Sequence, residues 1–361
     1  MRRDDALKIA KISKHQYYYQ PKPGKQGRCK TATVKSLHGT VNNTVVVEEM
    51  MRVKKDPVTD YGYIKMTFWL QLIGYIINKK KVYDLMKTNC LLKVKHKFSN
   101  KQFVKYRMIM PLKPLKVLEM DIKFVWIEEY KKHACVLTVI DTFTRYALHH
   151  FVSYSITKNQ VKQFWEHVIV EHLQGYLLPN ETIDIEVRND NDKRFSAQTV
   201  RDYFAENHLS QVFTHPYTPQ ENGHIESFHS ILSEHLSRFN FWSIHELEQN
   251  LTMFYQKYNN LRLHASIAYL SPADFWTLWD KNLIQMIQDM KLRKTKFKLK
   301  IPYQMVKQHT GNAEPEGCSL HLKKISERAE SVNYEEMVSA DSPPNKRFNT
   351  SPSVVPCFAK I

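Results

Sequence analysis

Between residues 117 and 239 the spacing of apolar residues changes period several times, and each change limits what the chain can fold into. Leu118, Met120, Ile122, Phe124 and Trp126 alternate with Glu119, Asp121, Lys123 and Val125, a period of two that specifies a strand. Ala134 to Ile140 is almost wholly apolar, as suits a strand covered on both faces, and Tyr146 to Val152 supports a third strand. Thr157 to Leu173 places Val161, Phe164, Trp165, Val168 and Ile169 on one side of a helix. Ile183, Ile185 and Val187 alternate with Asp184, Glu186 and Arg188, giving a strand that ends just before Asp190. Ser196 to Asn207 reads as a helix capped by Ser196, and Gln211 to Thr214 as a short strand. Gly223 to Phe239 reads as a long helix whose stripe is Ile225, Phe228, Leu232, Leu236 and Phe239. The order β-β-β-α-β-α-β followed by a long helix predicts an α/β fold, a mixed sheet flanked by helices.

Three carboxylates sit at telling places on these elements. Asp121, in L-E-M-D-I-K-F-V, lies mid-strand on the side away from the apolar row. Asp190, in V-R-N-D-N-D-K-R-F, lies at a strand end. Glu226 lies in the first turn of the long helix, where the helix N-terminus favours its charge. Three separate elements can bring these groups together at one end of a sheet. Carboxylates so gathered can hold a pair of divalent ions about 3.5–4 Å apart, which activate the attacking oxygen and stabilise the leaving one at a phosphodiester. Mg²⁺ suits such a site because it takes a few carboxylates and keeps room for phosphate oxygens and water. Asp192 stands two residues after Asp190, and Asp190 is the preferred ligand of the two. Asp141, in I-D-T-F-T-R, reads as a turn residue before Arg145, and Glu221 precedes the turn signal Asn222-Gly223. His224 and His229 are open to two readings, contact with substrate or bound water, or plain solvent exposure.

Charge adds a partner class. The 361 residues carry a net +17, and residues 1–116 hold 26 Lys or Arg against 7 Asp or Glu, a net +19 that leaves the remaining 245 residues at −2. An excess confined to one third of a chain is the footprint of a polyanion binder. Residues 1–92 read as a basic helical segment: a helix over 1–20, another from Thr44 to Met51 capped by Asn43, and a pair joined at Gly74 whose second member opens after Asn78. There Ile76, Val82, Leu85 and Met86 are expected to face a small core, with Lys79, Lys80 and Lys81 turned outward to a phosphate backbone. Residues 93–116 read as a basic linker, 117–282 as the α/β core with its C-terminal helices, 283–301 as a basic segment and 302–361 as a tail of little order. Further candidate nucleic-acid contacts are Asn222 and His229 beside Glu226, and Arg262 in Y-N-N-L-R-L-H. Cys29, Cys90, Cys135, Cys318 and Cys357 form no C-x-x-C pair, so zinc is not expected, and their scatter fits a reducing cytosol. The longest apolar run, Phe68 to Ile77, is too short to span a bilayer, and the first residues do not read as a signal peptide.

The motifs M-D-I-K-F-V, V-I-D-T-F-T-R-Y, R-N-D-N-D-K-R-F, H-P-Y-T-P-Q-E-N-G-H-I-E-S-F-H and Y-N-N-L-R-L-H-A-S-I-A-Y-L-S-P-A-D-F resemble the catalytic core of orfB-type bacterial insertion-sequence transposases, a core similar to that of retroviral integrases. I-S-K-H-Q-Y-Y-Y and the Y-G-Y…V-Y-D-L-M stretch resemble the same family's N-terminal helical DNA-binding segment, so the resemblance covers about residues 6–300. It implies an RNase H-like fold, a catalytic triad at Asp121, Asp190 and Glu226, and dependence on Mg²⁺ or Mn²⁺, as two ions. It also implies a DNA partner, both element ends and target, multimers that synapse two ends, and a cytoplasmic, nucleoid-associated location. The family usually has Gly where this chain has Asp192, and often Lys or Arg where it has Ser233. Its upstream helix-turn-helix, often a separately encoded partner, has no match here. The activity implied is 3′-end cleavage and strand transfer of a mobile element. The departures favour a catalytically impaired DNA-binding remnant as one alternative, and an RNase H-like nuclease is a second.

Overall fold

The computed structural model describes residues 3–18, 31–36, 39–93, 111–174, 185–215, 219–289 and 294–311. The first twenty residues hold two short helices rather than one, α1 (Arg3–Ile9) and α2 (Lys14–Tyr18), divided by Lys11 at φ 53°. β1 (Ala32–Lys35) and β2 (Gly39–Asn42) then pair as an antiparallel hairpin. In α3 (Asn43–Lys55) the cap is Asn42, one residue earlier than expected: its side chain accepts Thr44 N–H at 3.0 Å, while Asn43 Oδ1 accepts the Thr33 hydroxyl at 2.8 Å. α4 (Tyr63–Leu72) turns through Gly74 into β3 (Tyr75–Ile76), which adds to β1. Gly74 has φ +94°, which favours glycine, and a Cβ there would also crowd Ser36 Oγ at 3.0 Å. α5 (Lys79–Thr88) opens on Asn78, whose side chain accepts Lys81 N–H at 2.9 Å.

This segment is not helical alone, and it shares its core with the far end of the chain. Val46, Met50, Met66, Leu70, Val82 and Met86 are buried together with Phe143, Leu263, Ile267, Phe275, Leu278 and Val306. Ile76, expected inside, is 46% exposed because Tyr75 and Ile77 take the inward positions around it. The linker expected over 93–116 falls mostly on residues 94–110, outside the described residues.

The central sheet is built from β4 (Val117–Ile127), β5 (Lys132–Asp141), β6 (Ala147–Ser153), β7 (Ile185–Asn189) and β8 (Leu209–Phe213), in the order β6-β5-β4-β7-β8. β4–β5 and β5–β6 are antiparallel, whereas β4–β7 and β7–β8 are parallel. A three-strand meander followed by two strands added in parallel beyond the first is the RNase H-like arrangement. Between β6 and β7 lies α6 (Lys158–Val168), capped by the Thr157–Gln160 capping box and continued by a π-helical turn at Ile169–Leu173. Between β7 and β8 lies α7 (Gln198–Glu206). Ser196 does not cap it: Phe195 and Ser196 both donate their N–H to the Asp192 carbonyl, which spends Ser196 on a turn. α8 (Gly223–Leu236) and α9 (Ile244–Asn260) follow. α8 ends before Phe239, whose N–H closes a tight turn on the Leu236 carbonyl.

Both sheet faces are covered. Leu118, Met120, Leu137, Val139 and Val187 pack under Val161, Phe164, Trp165, Val200 and Phe204 of α6 and α7. Val125, Ile127, Val136 and Ile140 pack under Ile225, Phe228, Leu232, Leu251 and Phe254 of α8 and α9. Phe124 and Trp126, read as part of the inner row, are 54% and 43% exposed, because β4 outruns the helices that cover its first half.

The end of the described chain departs from expectation most. After α10 (Pro272–Asp280), the basic segment is a hairpin of β9 (Ile284–Asp289) and β10 (Lys294–Leu299). Lys296 and Lys298 alternate with Phe297 and Leu299, and Phe297 packs edge-on against Phe143 and Phe275 at 5.2 and 4.9 Å. Residues 303–310 are also ordered by packing. Tyr303 donates its hydroxyl to the Ala268 carbonyl at 2.7 Å, and Val306, in α11 (Val306–Thr310), is fully buried. Residues 312–361 lie outside the described residues.

Candidate active site

β4 and β7 run parallel with Val117, Leu118 and Glu119 opposite Glu186, Val187 and Arg188. The pairing ends two residues short of Asp121 and of Asp190, the residue that follows the last position of β7, and the charge of Asp121 acts on the Asp190 carboxyl. Burial pushes the Asp190 carboxyl above its ordinary value, against an Asp192 N–H donated to it at 3.2 Å, and the charges of Asp121 and Asp192 push it further. Among the described residues no basic side chain is hydrogen-bonded or ion-paired to Asp190. Asp121 accepts the Ile122 N–H at 2.7 Å, and its Oδ2 lies 3.3 Å from Nδ1 of His229. Glu226 is exposed in the first turn of α8, three residues before His229 and so close to it on the helix surface.

The neighbouring acids divide into roles. Asp192 is held by Arg194 through two bonds, 2.8 Å from Nε and 2.5 Å from Nη2, and the guanidinium holds its carboxyl below the usual carboxylate range. The same guanidinium lies over the ring of Phe124. Asp141 is fully buried and staples the β5–β6 turn, accepting N–H groups of Leu115, Phe143 and Thr144 and the Thr144 hydroxyl at 2.6–3.2 Å. Glu221 is buried and accepts from the N–H and Nδ1 of His215 at 3.0 and 2.9 Å.

Glu119 escaped the sequence reading. It is fully buried, accepts Ile225 N–H at 2.7 Å, and lies 2.8 Å from Nδ1 of His224. Burial raises its carboxyl to about 7; the Ile225 N–H and then Arg145 and Arg188 oppose that rise, and Asp121 adds to it. One signal was available: Glu119 is two residues before Asp121 and must share its face of the strand.

Among the described residues, no group of three or more His, Cys, Asp or Glu side chains is arranged to hold a metal ion. Asp121 and Asp190 fit a hard cation as a pair: both offer carboxylate oxygens, and the charge of Asp121 makes that of Asp190 costlier.

The six nucleic-acid candidates also divide. Lys79 and Lys80 are exposed, Lys79 with its ammonium 5.2 Å from the Phe68 ring centre. Lys81 turns inward and donates to the Ala32 carbonyl, contrary to the outward placement expected of it. Arg262 also turns inward, donating to the Val58 carbonyl at 2.5 Å and tying the end of α9 to the N-terminal segment. Among the described residues, the buried Asn222 has no hydrogen-bond partner for Oδ1, and the mostly buried His229 has none for Nε2. These two atoms flank the first turns of α8.

Family models described as integrase core domain match residues 111–219 and 207–272. A protein of insertion element IS476 from Xanthomonas euvesicatoria is 25% identical, over 60% of this chain and 60% of its own. One of insertion element IS407 from Burkholderia multivorans is 23% identical over 60% and 75%. The putative transposase InsK for insertion sequence element IS150 of Escherichia coli is 22% identical over 75% and 92%. The chain thus matches about three fifths of the length of the first of these relatives. Solved structures are more distant. A chain of the simian T-cell lymphotropic virus intasome aligns over 61% of this chain and 74% of its own at 13% identity, with a TM-score of 0.39, so the fold assignment rests on the strand order itself.

Proposed function

We propose that this chain, which carries the integrase core domain of bacterial insertion-sequence transposases, is a DNA transposase that cleaves the 3′ ends of a mobile element and joins them to target DNA. The observation that carries this reading is the carboxylate pair of Asp121, in the middle of β4, and Asp190, just past the end of the parallel β7; among the described residues no lysine or arginine is bonded to Asp190, and Arg194, spent on Asp192, acts on it only through its charge.

Asp121, Asp190 and Glu226 are the proposed ligands and catalytic residues, for Mg²⁺ or Mn²⁺, as two ions. Bound there, the metal supplies Lewis-acid polarisation of the phosphate and a lowered pKa for the attacking hydroxyl. The chain's own groups do the rest. His229 holds the Asp121 carboxylate from α8 at 3.3 Å. Arg194 pairs with Asp192 and offsets part of its charge. Lys79, Lys80 and the basic N-terminal third supply the attraction to phosphate, and Asn222 presents an unspent acceptor beside Glu226. Function as a homo-oligomer on two DNA ends, with a separately encoded helix-turn-helix partner, belongs to the same proposal. Among the described residues no helix is long and apolar enough to cross a membrane.

One observation favours a second reading, a DNA-binding protein with impaired catalysis: no three-ligand cluster closes among the described residues. The deciding experiment incubates the purified chain with duplex carrying the ends that flank its gene, in Mg²⁺ and in Mn²⁺. Nicks at the element 3′ ends and joined products support the transposase. Binding without either product in both metals supports the impaired protein, and cleavage confined to RNA–DNA hybrids indicates a nuclease.

A further inference from the structure

We propose that Glu119 is a positioning residue that sets Glu226 against Asp121 by capping α8 from a distant strand. The proposal rests on the reading of Asp121, Asp190 and Glu226 as the ligand set.

An α-helix begins with N–H groups that have no partner within the helix, and the residue before it commonly supplies an oxygen for one of them. At α8 that residue is Asn222, and it makes no side-chain cap bond. The oxygen comes instead from Glu119, 106 positions away in sequence, which accepts the Ile225 N–H at 2.7 Å. Its other oxygen lies 2.8 Å from Nδ1 of His224. Glu119 is fully buried, so neither bond competes with water.

The geometry couples this cap to the site. Glu119 and Asp121 lie on one face of β4, about 7 Å apart along the strand. Each engages α8: Glu119 at residues 224 and 225, Asp121 at His229, 3.3 Å away. Glu226 lies between the two attachment points. Only the first is made by a buried carboxylate with two bonds, so it sets how far along its axis, and at what rotation, α8 meets β4. Loss of the Glu119 bonds leaves the hydrophobic stripe of α8 in place on the sheet but releases its first turn, the turn that carries Glu226.

The test is Mn²⁺ affinity of the full chain without DNA, measured by calorimetry, with thermal melts to establish folding. Asp121→Asn and Glu226→Gln are expected to weaken binding by tenfold or more. Glu119→Gln, which removes no ligand, is expected to weaken it about tenfold, the effect of losing an outer partner that orients a metal ligand. The double variant Glu119→Gln/Glu226→Gln is expected to bind no more weakly than Glu226→Gln alone, because both changes remove one contribution. His224→Ala, at a partly exposed position, is expected to give a smaller loss in the same direction, and it carries the test if Glu119→Gln does not fold. Mn²⁺ affinity within twofold of wild type in both folded Glu119→Gln and His224→Ala, beside a clear loss in Glu226→Gln, overturns the positioning role. Additive losses in the double variant overturn it too. Unchanged affinity in Asp121→Asn and Glu226→Gln overturns the ligand assignment, and this proposal with it.

Discussion

Under α6 and α7 the central strands present Leu118, Met120, Leu137, Val139 and Val187, with Trp165 Nε1–H on the sulfur of Met120 at 3.1 Å. Under α8 and α9 the same strands present Glu119, Asp121, Thr138 and His150. Thr138 is bonded to the Tyr255 hydroxyl at 2.5 Å, and His150 is stacked flat on the Tyr255 ring at 4.0 Å. The first face is there to hold the fold. The second gives up apolar burial at one end so that acids can stand there, and recovers only part of it through directed bonds. Side chains on the first face should therefore matter for stability, and the acids on the second for chemistry.

The largest expected effect separates the two directly. Asp190→Asn removes a charge that the fold crowds against Asp121, so strand transfer is expected to fall on the order of a thousandfold, from the loss of several kcal/mol of transition-state stabilisation. Thermal stability is expected to hold or rise slightly, because a like-charge contact is relieved. A gel assay of joined products and a melt of the same preparation read both quantities. A large stability loss would mean that Asp190 belongs to the scaffold.

Trp165→Ala is the converse. Trp165 is fully buried between Phe164 and Phe204, so its truncation is expected to cost about 3–5 kcal/mol in denaturant unfolding. DNA affinity of the fraction still folded should be unchanged. A cost below about 1 kcal/mol would show that this face repacks freely, and the contrast between faces would collapse.

The first face was legible before any coordinates. The alternation Leu118, Met120, Ile122 and the apolar run Ala134–Ile140 are local signals, and Thr157 with Gln160 writes a helix start within four residues. The succession of elements along the chain followed from them, while the order of the strands in the sheet did not. The second face was legible only in part. Asp121, Asp190 and Glu226 stand out by motif, but Glu119 does not, because its partners are 105 and 106 residues away and no local pattern marks them. The hairpin of β9 and β10 was lost for another reason: K-T-K-F-K-L has the period of a strand, but its lysines read first as a charge run. Lys81 and Arg262 misled in the same way, since a cation that bonds the backbone of its own chain looks, in sequence, like one that waits for phosphate.

His149 and His150 are adjacent on β6 and point to opposite faces, which makes them a matched pair. His149 packs on Phe164 and His167 at 5.0 and 5.7 Å, and His150 on Tyr255. Burial depresses both, His149 to about 3 with help from neighbouring histidines and His150 to about 4. Both are thus neutral when folded, while the unfolded chain takes up protons from about pH 6.5 downward. Their contribution to stability is complete above about pH 6.5 and is lost as pH falls from there towards 4. Urea melts at pH 7 and pH 5 are expected to show that loss, and His149→Phe and His150→Phe are each expected to remove part of the slope. If only one does, the two faces differ in how well they exclude a charge.

The smallest effect carries the same distinction over to cations. Lys79, Lys80 and Lys81 are consecutive, but only the first two are exposed, and Lys81 is spent on the Ala32 carbonyl. Each phosphate contact contributes about 0.9 to the slope of log affinity against log salt concentration. Lys80→Ala and Lys79→Ala are therefore each expected to lower that slope by up to about one, with little change in melting temperature beyond the loss of the Lys79–Phe68 contact. Lys81→Ala is expected to do the reverse: the slope stays, and the melting temperature falls because the link between α5 and β1 is cut. Salt titrations of duplex binding, read beside melts of the same variants, decide the matter. Equal slopes for all three variants would place the phosphate contacts elsewhere on the basic N-terminal third, and a slope change in Lys81→Ala alone would mean that this lysine leaves the Ala32 carbonyl when DNA binds.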